Sequence, residues 1–124
     1  MGKTVTLEEL SSYKISLELA DLIYRNVKNW QYLDQKTVGV QWIRSTDSIS
    51  ANIAEGFGRY HKKDKIKFFY NARASAFESG HWLKIASQRK ILTSTEEKQI
   101  LTLLQKLPRE INYLIKFTNI NLSI

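Results

Sequence analysis

The side chains that could take part in chemistry are concentrated in and just after one run of twelve residues, Ser48–Arg59. Asn52 and Glu55 stand three residues apart in this run, so a helix would place them on neighbouring positions of one face. A buried carboxylate needs a charged or hydrogen-bonding partner. We therefore predict structural roles for Asn52 and Glu55, and leave Arg59 open between a structural contact and a nucleic-acid contact. The candidate arginine partners of Glu55 are Arg44, Arg59 and Arg73.

Groups with the spacing needed for catalysis or metal binding are missing from the sequence. The chain has no cysteine, and its two histidines, His61 and His81, have no carboxylate at ligand spacing. No nucleophile elbow and no phosphate-binding Gly-x-x-x-x-Gly-Lys loop occurs. Glu55 and Glu78 could form a carboxylate pair, but acid–base catalysis also needs a cleft, which the sequence does not indicate. We expect a protein that is not an enzyme and that uses no metal and no cofactor.

Positive charge is concentrated in one third of the chain. Between Arg59 and Lys90 there are nine cations and two anions, a balance of +7, while the remaining residues hold ten cations and ten anions. Such a segment predicts a surface that faces a polyanion, and a solvated helix face that binds nothing is the alternative. Tyr60 and Phe68 interleave with these cations, and we expect both rings to be exposed and able to stack on RNA bases. The expected nucleic-acid contacts are Arg59, Lys62, Lys63, Lys65, Lys67 and Arg73.

Apolar residues recur every three or four positions, which predicts an all-α protein. Four helices, at about 7–29, 36–57, 62–89 and 94–118, fit an up-down-up-down bundle in a single domain, 1–124. The expected inward residues include Leu17 and Tyr24 in the first helix, Val38, Trp42, Thr46, Ile49, Ile53 and Phe57 in the second, Phe69, Tyr70, Ala72, Ala76, Phe77 and Ala86 in the third, and Ile100, Leu103, Leu104, Leu107, Ile111 and Leu114 in the fourth.

Glycines and caps predict where these helices end and meet. Gly56 and Gly58 should end the second helix, with at least one of them at positive φ. Gly80 lies inside the third helix, where a close helix crossing would explain the lack of a side chain. Thr93 and Glu96 have the spacing of a capping box and should open the fourth helix.

The sequence contains no stretch of membrane-spanning length, and its first residues lack the apolar core of a secretory signal. We expect a soluble cytoplasmic protein that does not engage a membrane. Trp30, Trp42, Trp82 and the apolar tail 119–124 supply more hydrophobic surface than one bundle core needs, which predicts self-association.

A family resemblance is carried by Ser48–Arg59, which reads Ser-Ile-Ser-Ala-Asn-Ile-Ala-Glu-Gly-Phe-Gly-Arg, with Arg44 before it and Lys62-Lys63-Asp64 after it. This pattern resembles the hallmark of the bacterial 23S rRNA intervening sequence proteins, four-helix bundle proteins that are also called S23 ribosomal proteins. The resemblance spans about residues 13–117 and includes Ala74–Glu78 in the third helix. Its motif residues in this chain are Arg44, Asn52, Glu55, Gly56, Gly58 and Glu78.

The resemblance implies a homopentameric barrel of bundles with a basic surface and a poorly defined biochemical activity. A related branch, the accessory variability proteins of diversity-generating retroelements, assists a reverse transcriptase and binds nucleic acid. The chain departs from the family pattern at Gly80, where an acidic residue is usual, and at His61, where a serine or threonine cap is common. The leading prediction is a non-enzymatic homo-oligomer that binds RNA, such as ribosomal RNA. The alternatives are a scaffold for a protein partner such as a reverse transcriptase, and a pentamer whose basic surface has no nucleic-acid role.

Overall fold

The computed structural model describes residues 5–122, and within that range it is helical with no strand. Each of four helices packs against two others, and the pairs in contact are α1 with α2, α2 with α3, α3 with α4, and α4 with α1. This is the arrangement of an up-down-up-down bundle. No helix between residues 5 and 122 combines the length and the apolarity needed to cross a membrane. The helices are α1 (Ser11–Val27), α2 (Val40–Gly58), α3 (Lys62–Gln88) and α4 (Ser94–Asn121).

Short helical turns lie before α1 and α2. A 3-10 turn at Leu7–Glu9 precedes α1, and a helical turn at Tyr32–Asp34 followed by a π-helical turn at Gln35–Gly39 leads into α2. The side-chain amide of Gln35 reaches back to the end of α1: its Nε2 donates to the carbonyl oxygens of Val27 and Lys28, each at 3.0 Å. Because the last carbonyls of a helix lack partners within the helix, Gln35 supplies part of the C-terminal cap of α1.

The core is one continuous set of buried apolar side chains from all four helices. On α2, Trp42 is completely buried, and its Nε1 donates to the Ser79 hydroxyl of α3 at 2.8 Å. The Trp30 ring packs near it, with 6.2 Å between the ring centroids. Trp42 therefore belongs to the core of its own bundle, and the expectation that it adds surface for self-association is wrong. Of the tail 119–124, Ser123 and Ile124 lie outside the described residues. Of the inward residues predicted for α4, Ile115 is only partly buried, and the others are buried: Ile100, Leu103, Leu104, Leu107, Ile111 and Leu114.

The core-facing side of α3 differs from the prediction. Tyr70 and Phe77 were expected inside, but they are 51% and 61% exposed. Both lie one position after a buried residue, which turns them about 100° away from the core stripe. That stripe consists mostly of small residues, which let α3 approach its neighbours closely; its buried members are Phe69, Ala72, Ala76, Ser79 and Ala86. In α1, Leu17 and Tyr24 are likewise exposed, contrary to prediction.

The helix α2 ends at Gly58, as predicted, but its glycines do not take the predicted conformation. No glycine in residues 5–122 has positive φ. Gly56 is buried, and a Cβ there would lie 2.7 Å from Cε1 of Phe69 and 2.9 Å from the carbonyl oxygen of Lys65, so this glycine provides space between α2 and α3. A Cβ on Gly58 or on Gly80 would meet no atom within 4 Å outside its own helix backbone. The expected close helix crossing at Gly80 is therefore wrong.

A lysine, not a glycine, takes the left-handed conformation at the end of α3. Lys90 has φ of 56°, the one positive value among the non-glycine residues of the described range. The N–H of Lys90 donates to Ser87 and the N–H of Ile91 donates to Ala86, both at 3.1 Å. These two bonds form the pattern of a Schellman motif, which usually carries glycine at the left-handed position.

The start of α4 follows the predicted capping box. The Thr93 hydroxyl accepts from the N–H of Glu96 at 3.1 Å, and the Glu96 carboxylate accepts from the N–H of Thr93 at 2.8 Å. Two backbone donors at the helix start are thus satisfied reciprocally.

Candidate nucleic-acid interface

The turn between α2 and α3 consists of three exposed residues, Arg59, Tyr60 and His61. Arg59 leaves the helix with φ of −74° and ψ of 150°, and its N–H still donates to the carbonyl of Gly56 at 3.2 Å. His61 stands at the N-cap position of α3 in extended conformation, and its side chain makes no capping hydrogen bond. The chain therefore reverses direction through ordinary extended backbone, which brings these three side chains to the surface.

Arg59 is held between two neighbours. Its Nε lies 3.3 Å from Oε2 of Glu55, and the two side chains are 45% and 52% exposed. Its guanidinium also lies over the ring of Phe68, 4.7 Å from the centroid. An ion pair this exposed contributes little stability, about 0–1 kcal/mol. Glu55 thus positions Arg59 and leaves it accessible, while Phe68 is half-buried under the guanidinium and is less exposed than predicted.

Lys65 has a role in the fold. Its Nζ donates to the carbonyl of Phe57 at 2.7 Å and lies 3.5 Å from that of Gly56, and it sits 5.6 Å from the centroid of the Phe57 ring. These carbonyls belong to the last turn of α2, where backbone acceptors lack partners and the helix dipole is negative. Burial lowers the pKa of the Lys65 ammonium below its ordinary value. We therefore leave Lys65 out of the candidate interface, although it was among the nucleic-acid contacts predicted from the sequence.

The side chain of Lys62, the first residue of α3, contacts the end of another helix. Its Nζ is 3.4 Å from the carbonyl oxygen of Asn119, in the last turns of α4. In an antiparallel bundle the start of α3 lies beside the ends of α2 and α4, so cations there meet two negative helix ends as well as the positive end of their own helix. This packing supplies a structural reason for Lys62 and Lys65 that needs no ligand.

Two lysines of the same stretch remain exposed. Lys63 and Lys67 are four residues apart on α3, hence neighbours on one helix face. Within residues 5–122, neither lies within ion-pair distance of an acidic group. Tyr60, three residues before Lys63, is 75% exposed, and its ring contacts His61 edge to face, with 5.1 Å between centroids. We call Arg59, Tyr60, Lys63 and Lys67 the turn patch.

Arg73 does not belong to the turn patch. It follows Lys67 by six residues, which places it about 9 Å further along α3 and about 120° around it. Its guanidinium lies over the Phe77 ring, 5.6 Å from the centroid. Its Nε is buried and has no hydrogen-bond partner among the described residues. Arg73 therefore lies on a different side of α3 from Lys67.

The remaining motif residues act within and between helices. The Asn52 amide donates to the Ser48 carbonyl at 2.8 Å and lies 3.0 Å from the Ser48 hydroxyl, which accepts from the Ser75 hydroxyl of α3 at 3.0 Å. Glu78 accepts from Nε1 of Trp82 at 3.1 Å, on the same helix. These bonds support the structural reading of Asn52. The bond between Ser48 and Ser75 is not among the predicted contacts, and its signal in the sequence is the recurrence of small residues where α2 and α3 meet.

Arg44 is exposed, and it takes part in no ion pair in the part of the chain that the structure describes. The described residues also contain no group of three histidine, cysteine or acidic side chains that could hold a metal ion. Arg59, Lys63 and Lys67 thus lie within nine residues of the chain, at the α2–α3 turn and the start of α3, whereas Arg73 lies on another side of α3 and Arg44 lies in the first half of α2.

Comparison with known proteins agrees with the hallmark in α2. Residues 8–113 match the family model described as 23S rRNA-intervening sequence protein. The chain belongs to this family. Its fold is similar to the crystal structure of a protein of unknown function from the S23 ribosomal protein family of Bacteroides thetaiotaomicron VPI-5482, with a TM-score of 0.76 and 25% sequence identity. The similarity covers 85% of this chain and 98% of the other. No curated protein matches the sequence. The predicted family and the four-helix fold are therefore confirmed.

Proposed function

We propose that this member of the 23S rRNA-intervening sequence proteins is a non-enzymatic, cytoplasmic protein that binds RNA, such as ribosomal RNA, through the turn patch. The observation that supports the proposal is the exposure of Lys63 and Lys67 shortly after Arg59 in the chain, whose guanidinium is held by Glu55. Residues 55–67 hold five cations and two anions, so the local charge stays positive even with Glu55 and Asp64 counted. A phosphate backbone is the polyanion that such an exposed cluster attracts.

The strength of the interaction follows from the number of cations. Each phosphate that a protein cation neutralises contributes about 0.7 to 0.9 to the slope of log affinity against log salt. Three cations therefore predict a slope of about −2 to −3, with dissociation constants in the micromolar range or weaker at physiological salt. Because the contacts are to the backbone, binding should depend little on RNA sequence.

A charge reversal with a matched control tests the proposal. In Lys63→Glu/Lys67→Glu the net charge falls by the same amount as in Lys14→Glu/Lys98→Glu, which changes two exposed lysines on α1 and α4. Acidic residues near the start of a helix are favourable, so the first variant should stay folded. We expect fluorescence anisotropy at low salt to show at least about a tenfold loss of RNA affinity in the first variant and a much smaller loss in the control. Equal losses, or no binding by the parent protein, would overturn the proposal.

We further propose that the chain self-associates through α3. Tyr70, Ala74, Phe77 and His81 are all exposed and recur at intervals of four, three and four residues, which is the spacing of a face that packs on another helix. We call these four residues the α3 aromatic face. The family resemblance implies five copies in a barrel. Light scattering should give an oligomeric mass for the parent chain and a smaller one for Phe77→Glu, with Lys98→Glu at an exposed position of α4 as control.

The α3 aromatic face also supports the second candidate function, a scaffold for a protein partner such as a reverse transcriptase. An exposed apolar stripe on a helix is typical of protein–protein contact. A monomeric mass for the parent chain at micromolar concentration would contradict self-association and favour this candidate, above all if the chain also fails to bind RNA at low salt.

A further inference from the structure

The exposed rings of this protein differ in what covers them. Tyr32 lies under the ammonium of Lys36, 5.1 Å from the ring centroid, and Tyr113 stacks on Phe117 with 28° between the ring planes. Tyr60 has neither kind of cover: its one aromatic neighbour in the described range is His61, which meets it at 89°. With 75% of its surface exposed at the tip of the α2–α3 turn, Tyr60 is open to a flat ligand.

The surroundings of Tyr60 suit a nucleotide. Arg59 precedes it directly, and Lys63, an exposed residue, follows three positions later as the second residue of α3. A base that stacks on an aromatic ring brings its phosphates to within reach of cations beside that ring, which is the general way in which proteins bind single strands. Phe68 is not available for this purpose, because the guanidinium of Arg59 lies 4.7 Å from its centroid.

We propose that the turn patch binds single-stranded RNA by stacking one unpaired base on Tyr60, an inference that rests on the RNA binding proposed above. A base in a duplex is already stacked on its neighbours, so its face is closed to a side chain. Duplex RNA therefore meets only the cations of the turn patch, whereas an unpaired segment meets the cations and the ring. The protein prefers single-stranded loops or ends over duplex of the same length.

The test compares two RNA probes on four proteins. The probes are a labelled single-stranded RNA 12-mer and the duplex that this strand forms with its complement. Both are titrated with protein at one low salt concentration and followed by fluorescence anisotropy. The proteins are the parent, Tyr60→Ala, Tyr60→Phe and Lys63→Glu/Lys67→Glu. Stacking on one ring is worth about a fivefold or greater change in affinity. We expect Tyr60→Ala to lose that factor for the single strand alone, Tyr60→Phe to keep parental affinity, and the lysine variant to lose affinity for both probes.

The possible failures are distinguishable. If the parent binds neither probe, both the inference and the proposed function fail. If the parent binds both probes and Tyr60→Ala binds them as the parent does, the stacking inference fails while RNA binding stands. An equal loss for both probes in Tyr60→Ala would also overturn the inference, because a disturbed turn would then explain the result better than a lost stacking contact. The salt slope separates the two terms further: it should be unchanged in Tyr60→Ala and shallower in the lysine variant.

Discussion

The two ends of α3 reverse the chain in different ways. The α2–α3 turn follows Gly56 and Gly58, yet neither glycine is left-handed, and a lysine side chain from α3 caps the end of α2. The α3–α4 turn contains no glycine, yet Lys90 is left-handed with φ of 56°, and a capping box opens the next helix. The presence of glycine and the need for positive φ are thus separate in this protein.

The comparison shows that a glycine can be required for space instead of torsion. At Gly56 the backbone is helical, and the side chain is missing because Phe69 and the Lys65 carbonyl occupy its place. At Lys90 the backbone is left-handed, and a Cβ is tolerated at a cost of about 1–2 kcal/mol.

Gly56→Ala should give the largest loss of stability. The added Cβ would lie 2.7 Å from the Phe69 ring and 2.9 Å from a backbone oxygen that cannot easily move. Overpacking of this kind costs about 1–3 kcal/mol, to be measured as the free energy of unfolding in urea. The control is Gly58→Ala, which meets no atom within 4 Å and should be neutral or stabilising by less than about 1 kcal/mol. A similar effect at both glycines would contradict the role given to Gly56.

Thr93→Ala should destabilise the other turn by about 0.5–2 kcal/mol, because it removes the hydroxyl that accepts from the Glu96 N–H. Thr95→Ala, at an exposed position two residues later, is the matched control and should change the free energy of unfolding by less than about 0.5 kcal/mol. Equal shifts of the melting temperature in Thr93→Ala and Thr95→Ala would show that the capping box does not stabilise the start of α4.

Lys90→Gly should stabilise the protein, which is the reverse of the effect at Gly56. Glycine adopts the left-handed conformation without the Cβ strain that lysine carries, and the net gain should be up to about 1 kcal/mol. Arg89→Gly tests the neighbour, whose φ of −85° brings no such strain, and it should be neutral or slightly destabilising. If Lys90→Gly melts below the parent, the left-handed position is not a source of strain.

Lys65 should give the smallest effect, and the effect should depend on pH. Burial lowers its pKa in the folded state from the ordinary 10.5, so the unfolded chain binds more protons between the two pKa values. The folded state therefore gains stability as pH rises through that interval, fully so above 10.5, and the gain is lost as pH falls through the folded pKa. We expect urea melts at alkaline pH to show this rise in the parent and in Lys67→Met but not in Lys65→Met. A parallel rise in all three proteins would refute it.

The sequence was sufficient to predict the helices whose large apolar residues form one stripe. In α2 and α4 such residues as Trp42, Ile49 and Leu107 recur at one spacing and are buried. In α3 two stripes compete, and the one with the larger rings, Tyr70 and Phe77, is exposed. A prediction from hydrophobic spacing assigns the larger apolar residues to the core. The close approach of α3 to its neighbours instead requires small residues at the contact, and this requirement is visible only in the packed structure.

The candidate site was predictable where it depends on local spacing. The Glu55–Arg59 pair is four residues apart on the chain, so the sequence indicated it among other pairings. The capping roles of Lys62 and Lys65 depend on which helix ends lie beside the start of α3, and the bond between Ser48 and Ser75 depends on the register of α2 against α3. These contacts join residues far apart in sequence, and composition or periodicity does not encode them.

The close contact at Gly56 has a consequence for recognition. Arg59 and Tyr60 follow it by only three and four residues, and the Lys65–Phe57 bond ties the turn to α3 on its other side. The turn is thus fastened at both ends to the packed part of the bundle. A ligand that binds there contacts a preorganised surface. Because few residues have to be ordered on binding, the loss of conformational entropy is small, and a small number of contacts can produce measurable affinity.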